Sequence, residues 1–267
     1  MTAIAVTIAG SDSSGGAGVQ ADLKTFSALG VYGASVMTAL TAQNTQGVTG
    51  IHDVPAAFVR QQMDAVFSDL DANAVKIGML FNADIIMVVA GSLKAHKCQS
   101  VILDPVMIAT SGDPLLVDEA VSAMQTHLFP LVDLITPNLH EAAHLTGQKL
   151  AATDAQMEEQ AKALLERGVQ AVLIKGGHSD GNEARDFYSD GAESFWLSSK
   201  RIETNNTHGT GCTLSSAIAA GLAKGMVMRD ALEAAKAYLA SCIASADALE
   251  VGTGHGPVHH FHEMWEE

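Results

Sequence analysis

AIAVTIAGSDSSGGAGVQADLKTFSA, residues 3–28, sets an apolar run, a glycine- and serine-rich stretch and a helical pattern in direct succession. Residues 3–9 carry no charge and read as a buried strand. The turn residues 10–16 then interrupt it, and the helical pattern runs through Ala28. A buried strand followed by a loop and a helix is the unit from which parallel sheets are built. The unit recurs. Residues 34–42, 73–78, 100–106, 132–138 and 169–177 read as further strands, with helices expected over 55–70, 82–95, 114–127, 139–146 and 153–167. Pro55 suits the first turn of its helix. Residues 184–198 alternate like a hairpin at a sheet edge, and 210–249 holds two alanine-rich helices. The expectation is an α/β fold with a doubly wound, mostly parallel sheet, helices on both faces, and one domain over residues 1–267.

Composition narrows the partners. A net charge of −15 argues against wholesale binding to nucleic acid or to an anionic membrane. No charged-then-apolar leader opens the sequence, and no apolar run reaches the ~18 residues of a membrane span. The cysteines Cys98, Cys212 and Cys242 are widely spaced, with no Cys-x-x-Cys pair. Free thiols and a cytoplasmic location are expected.

Six polar or glycine-containing loops follow apolar runs: AGSDSSGGAG, AQNTQG, IGML, LDPVM, TPN and KGGH. In open α/β sheets ligands bind at the carboxyl ends of the strands, so these loops point to one shared site. Gly16-Ala17-Gly18-Val19-Gln20-Ala21 fits the G-x-G-x-x-[GA] dinucleotide pattern. That pattern also calls for an acidic residue at the end of the second strand. Ala42-Gln43-Asn44 stands there instead, so glycines that merely let helix and strand pack closely remain an alternative. No G-x-x-x-x-G-K-[ST] occurs.

A second anion cradle is expected in NNTHGTGCTLSSAIAAGLAKG, residues 205–225. Gly209, Thr210 and Gly211 free the backbone to present N–H groups, and the helix from about Cys212 adds its positive end. Such a cradle suits a transferring phosphoryl group. Cys212 has three readings: a core thiol, a nucleophile paired with His208 whose thiolate a helix start would favour, or a proton acceptor for an alcohol attacking a bound phosphate, which fits the adjacent glycine turn best. Asp104 at a strand end, and Asn138 and Glu141 three apart at a helix start, are candidates for organising Mg²⁺, which takes one or two carboxylates with phosphate oxygens and water. Taken alone, Asp104 is equally readable as a helix cap and Glu141 as a surface charge. Lys175 ends a strand in a chain with only 15 Lys and Arg, and is a candidate phosphate contact. His259, His260 and His262 cluster in the tail without a standard metal spacing.

Together AGSDSSGGAGVQADLKTFSALG, TALTAQNTQGV, KIGML, LDPVM, TPNLHEA, IKGGH, NTHGTGCTLSSAIAA and GPVHHFH resemble, in the same order and over nearly the whole chain, the hydroxymethylpyrimidine/phosphomethylpyrimidine kinases of thiamine biosynthesis, within the ribokinase-like superfamily. The resemblance implies a homodimeric kinase that uses ATP and Mg²⁺. It would phosphorylate 4-amino-5-hydroxymethyl-2-methylpyrimidine and then its monophosphate; a pyridoxal or pyridoxine kinase with the same phosphate site is the alternative. By position, Asp22 and Gln43 would bond the pyrimidine, Gly10 would permit close approach, and Met79 and Val106 would wall the pocket. Gly209 to Cys212 would form the anion hole, Lys175 and Asn138 would serve the nucleotide, and Asp104 and Glu141 the metal. Many members have proline where this chain has Ser13, which implies a less rigid loop here. Segment 107–113, MIATSGD, is the expected flap.

Overall fold

A computed structural model describes residues 1–107, 118–177 and 182–265. Residues 108–113 of the expected flap lie outside them. The chain runs β1 (Ile4–Ala9), α1 (Gly18–Ala28), β2 (Tyr32–Met37), β3 (Ala39–Asn44), β4 (Gly47–Asp53), α2 (Ala56–Phe67), β5 (Ala74–Ile77) and α3 (Ala83–His96). Next come β6 (Val101–Leu103), α4 (Asp118–His127), β7 (Leu134–Ile135), α5 (Leu139–Thr146), α6 (Asp154–Leu165) and β8 (Val172–Lys175). The hairpin β9 (Glu183–Ser189) and β10 (Ser194–Lys200), then α7 (Thr210–Ala223) and α8 (Met228–Ala244), complete it.

Eight strands form one sheet in the order β10-β9-β8-β7-β6-β5-β1-β2. From β2 to β8 every pair is parallel, and β9 and β10 add antiparallel at one edge. Successive strand residues go to opposite faces, and both faces are apolar. Val6 and Ile8 face one core while Ala5 faces the other; Val101 and Leu103 oppose Ile102 in the same way. Helices α1, α7 and α8 cover one face through Phe26, Ile218 and Leu232, and α2 to α6 cover the other through Met63, Ile86 and Leu164. The order of the strands reverses at β1, whose chain leaves for β2 on one side while β5 lies on the other. A crevice opens at such a reversal, beyond the carboxyl ends of the strands.

One expected strand divides in two. Residues 34–42 do not run straight: β2 ends at Met37, and β3 leaves the sheet to pair antiparallel with β4. Thr38 makes the corner, taking a bond from Val54 N–H and giving its hydroxyl to the Met79 carbonyl at 2.6 Å. The sequence hid β4 because GVTGIHD has two glycines and no apolar alternation, and the ribbon stands mostly in solvent.

Candidate active site

A cavity of about 680 Å³ lies at the strand ends, within the range of small-molecule sites. All six loops singled out above reach it, through Gly10 and Asp12, Gln43, Met79, Asp104 and Val106, Asn138, and Lys175 and Gly177. Glu141 and the run Gly209, Thr210, Gly211 and Cys212 also line it. Gly10 stands against Met79: a Cβ at residue 10 would overlap the Met79 methyl group. Gln43 faces the cavity from β3, and its side-chain amide has no hydrogen-bond partner among the described residues.

The start of α7 is shaped for an anion. Gly209 is its N-cap at φ 85°, and a Cβ there would run into the Gly16 carbonyl. Thr210 N–H turns back to Thr207 at 3.3 Å, and Thr213 N–H takes the Gly209 carbonyl at 2.8 Å. Between them the N–H groups of Gly211 and Cys212 have no acceptor among the described residues. Free N–H groups at a helix start are donors for a phosphate. Lys175 closes the same place: a Cβ on Gly211 would sit 3.2 Å from its Nζ and 3.5 Å from Asp104 Oδ2.

Lys175 Nζ lies 2.6 Å from Asp104 Oδ1. Asp104 also accepts the Thr136 hydroxyl at 3.1 Å and the Ser215 hydroxyl at 3.3 Å. Burial alone would raise the Asp104 pKa; Lys175 and Lys76 outweigh it and hold the carboxyl below its ordinary range. Burial likewise works against the Lys175 ammonium, but Asp104 and Glu141 hold it charged. Asn138 and Glu141 form a capping box on α5: the Asn138 side chain accepts Glu141 N–H at 2.9 Å, and Glu141 accepts Asn138 N–H at 2.7 Å. Burial pushes Glu141 up to about 7, with Lys175 opposing and Asp104 adding to the rise. Two buried carboxylates beside an anion cradle fit a Mg²⁺ ion that takes its remaining ligands from phosphate and water, rather than a cation held by protein alone.

Asp22 is not in the cavity. It is fully buried beneath the floor, where both oxygens take Lys76 Nζ at 2.8 and 2.9 Å. The Thr7 hydroxyl at 2.6 Å and the Ser216 hydroxyl at 2.7 Å complete its partners. The expected bond from Asp22 to a pyrimidine is therefore corrected: this carboxylate is already saturated by protein donors, as a buried charge requires. Lys76, which the sequence reading passed over, reaches the cavity wall instead.

Cys212 departs from the lowered thiol expected of a helix start. Burial pushes it up to about 11; Lys76 pulls the other way, Asp22 and Asp104 push with burial, and a bond from Gly18 N–H offsets little. Desolvation and two nearby carboxylates outweigh the helix end, so the group is a thiol at neutral pH. His208 does not pair with it as the nucleophile reading required. Its Nε2 lies 2.8 Å from Asp12 Oδ2. Asp12 also binds the backbone N–H groups of Ser14 at 2.9 Å, Gly16 at 3.1 Å and Ala17 at 2.8 Å. It thus organises the first loop, a role signalled in sequence only by an aspartate among turn residues.

The glycines of G-x-G-x-x-[GA] serve close packing. A Cβ on Gly16 would overlap the His208 ring, and one on Gly18, at φ 57°, the Gly10 carbonyl. The tail histidines pack beside α7 and α8. His260 Nε2 lies 3.0 Å from the Thr213 hydroxyl, and the His260 carbonyl accepts the Tyr238 hydroxyl at 2.8 Å.

A doubly wound sheet with an anion cradle, a lysine and two carboxylates converging at its strand ends defines a small-molecule kinase of the ribokinase-like fold. The comparisons with known proteins narrow the class. The phosphomethylpyrimidine kinase family model matches residues 12–259. The hydroxymethylpyrimidine/phosphomethylpyrimidine kinase of Rhizobium meliloti is 59% identical over 267 residues, covering 100% of both chains. That of Escherichia coli is 52% identical over 263 residues, 98% of each. Among solved structures, the pyridoxal kinase of Staphylococcus aureus in complex with AMP-PCP and pyridoxal superimposes with a TM-score of 0.90 at 33% identity, covering 99% of this chain and 95% of that one. The chain belongs to the phosphomethylpyrimidine kinase family.

Proposed function

We propose that this chain transfers the γ-phosphoryl group of ATP to the hydroxymethyl oxygen of 4-amino-5-hydroxymethyl-2-methylpyrimidine, and then phosphorylates the monophosphate to the diphosphate. The relatives' activity supports the reading. The observation that carries it is one arrangement: the N–H groups of Gly211 and Cys212 beside Lys175, and the Gln43 side-chain amide on the same cavity, all without a partner among the described residues.

In this reading Gln43 bonds the aminopyrimidine edge, Met79 and Val106 hold its faces, and Gly10 lets it approach the backbone. A flat ring needs few polar contacts in an apolar slot. Asp22 acts from below by fixing Lys76. Gly209 and Thr210 set the turn that aims the Gly211 and Cys212 N–H groups at the equatorial oxygens of the transferring group. Lys175 leaves Asp104 for the nucleotide phosphates, with Asn138 beside it. Asp104 and Glu141 would hold Mg²⁺, which supplies charge neutralisation on the phosphates. Cys212 is the candidate acceptor for the alcohol proton. Because it starts as a thiol, it takes that proton only in its small ionised fraction, and the first transfer should speed up as pH rises. The second acceptor is already an anion and needs no such help. The resemblance also supports a homodimer, in which Leu40 on the outer face of β3, 47% exposed, is available for burial.

The pyridoxal alternative is favoured by one observation, the close superposition on the Staphylococcus aureus enzyme. ADP release with MgATP, measured in parallel with the pyrimidine and with pyridoxal, tests the choice. The expected result is a kcat/KM for the pyrimidine at least about 10-fold higher, since a site that bonds a ring amine discriminates against a ring lacking it. Turnover of pyridoxal alone would transfer the chain to the alternative, and turnover of neither would remove the kinase reading.

A further inference from the structure

The loop after β1 lies alongside β3 almost as a third strand of the β3–β4 ribbon. Ser11 N–H bonds the Ala39 carbonyl at 2.9 Å. The Ser11 hydroxyl accepts Thr41 N–H at 3.1 Å, and the Thr41 hydroxyl returns to the Ser11 carbonyl at 2.9 Å. Two residues further on, the Ser13 hydroxyl accepts Gln43 N–H at 2.8 Å and donates to the Gln43 carbonyl at 2.7 Å. Residues 39, 41 and 43 share one edge of the ribbon, and side-chain hydroxyls do the work that backbone does in a sheet. A hydroxyl is both donor and acceptor, so a single serine can satisfy both backbone groups of one residue.

The pairing falls at an irregular point. The register of β3 against β4 shifts between Ala42 and Gln43, next to the place where Gln43 turns its side-chain amide into the cavity. Beyond it the ribbon tip is held from the other side. Thr45 accepts His255 N–H at 2.9 Å and Gly254 N–H at 3.2 Å, and Gln46 reaches Thr253 at 2.8 Å.

We propose that Ser13 is a positioning residue for substrate binding in this chain, its hydroxyl clasping the Gln43 backbone and so setting where the Gln43 side-chain amide stands in the cavity. The proposal rests on the reading of Gln43 as the group that bonds the pyrimidine. It reverses the expectation that serine here loosens the loop. Ser13 is the second residue of the turn closed by Gly15 N–H on the Asp12 carbonyl at 2.9 Å. Proline is favoured at that position, and Ser13 N–H has no acceptor among the described residues. Proline therefore fits the turn, and what this chain has in its place is the clasp.

That makes Ser13→Pro a clean variant, with Ser13→Ala as a second and Ser13→Thr restoring the hydroxyl. Steady-state kinetics and amide exchange at Gln43 are measured on each. Loss of the clasp should raise KM for the pyrimidine about 3- to 10-fold, the size expected for a displaced neutral hydrogen bond. The kcat and the KM for MgATP should stay the same. Exchange at the Gln43 backbone N–H should quicken about 10-fold or more in Ser13→Pro and Ser13→Ala and return towards wild type in Ser13→Thr. Unchanged KM and unchanged exchange in Ser13→Pro would overturn the proposal, as would a Ser13→Thr protein that behaves like Ser13→Ala. If the wild-type chain leaves the pyrimidine unphosphorylated, the reading of Gln43 fails, and the exchange rates still decide the clasp.

Discussion

His208 Nε2 and Asp12 Oδ2 lie 2.8 Å apart across 196 residues of sequence, and this contact ties the loop after β1 to the turn that opens α7. One end of the pair fixes the Gly16 and Ala17 amides; the other precedes Gly209, the N-cap of the anion cradle. The loop after β1 and the turn before α7, which both line the cavity, are thereby joined in one hydrogen-bonded unit.

That pair should be visible in acid. Burial would raise the Asp12 pKa, but the bonds from His208 and Ser14 overcome it and hold the carboxyl at about 2. A depressed carboxylate adds stability that is complete above its unfolded pKa and is lost as pH falls from about 4 to about 2. Urea unfolding should show Asp12→Asn less stable by about 2 kcal/mol at pH 7. The difference should shrink towards zero near pH 2; a constant difference across that window would refute the pairing.

Lys76 and Asp22 predict a coupled result. Lys76→Met strands a fully buried carboxylate and should destabilise the fold by about 3–5 kcal/mol. Asp22→Asn combined with Lys76→Met removes the charge together with its partner, and should be less damaging than Lys76→Met alone. Denaturant midpoints measure both; strict additivity would contradict the pairing.

As the proposed acceptor of the alcohol proton, Cys212 should set the pH dependence of the first transfer. With the thiol at about 11, the rate with the free alcohol should rise between pH 7 and 10 while the rate with the monophosphate stays flat. Cys212→Ala should slow the first transfer more than the second and abolish that rise. Single-turnover rates on each acceptor decide it, and equal losses on both would remove the division of labour.

Gly209→Ala probes the cradle. A methyl group at φ 85° against the Gly16 carbonyl forces the turn to move and takes the Gly211 and Cys212 N–H groups out of aim. Turnover of ATP should fall about 100-fold or more, as when one oxyanion donor is lost. The melting temperature should fall only by several degrees, about that of a strained residue. Near-normal turnover would place the phosphate elsewhere.

Much of the molecule is legible in its sequence because parallel strands buried on both faces write themselves as short apolar runs, and the loops after them carry the polar residues. β1, β5 and β8 illustrate this. β4 is not legible, since a glycine-rich ribbon standing in solvent has no apolar period. Asp22 was misplaced for a related reason: a carboxylate on a helix beside a glycine loop looks the same in sequence whether it faces a ligand or a buried lysine 54 residues away. Lys76 and His208 find their partners only through the fold. For Cys212 the helix start was legible, and the desolvation and the two nearby carboxylates that override it were not.

The proposed reaction is two successive phosphoryl transfers on one pyrimidine. The most direct measurement is the amount of ADP released per pyrimidine consumed when MgATP is in excess and the reaction is run to completion. Two ADP are expected for each pyrimidine, with the monophosphate appearing first and the diphosphate as the end product. One ADP per pyrimidine with the monophosphate as the end product, or release of ADP with pyridoxal alone, would contradict it.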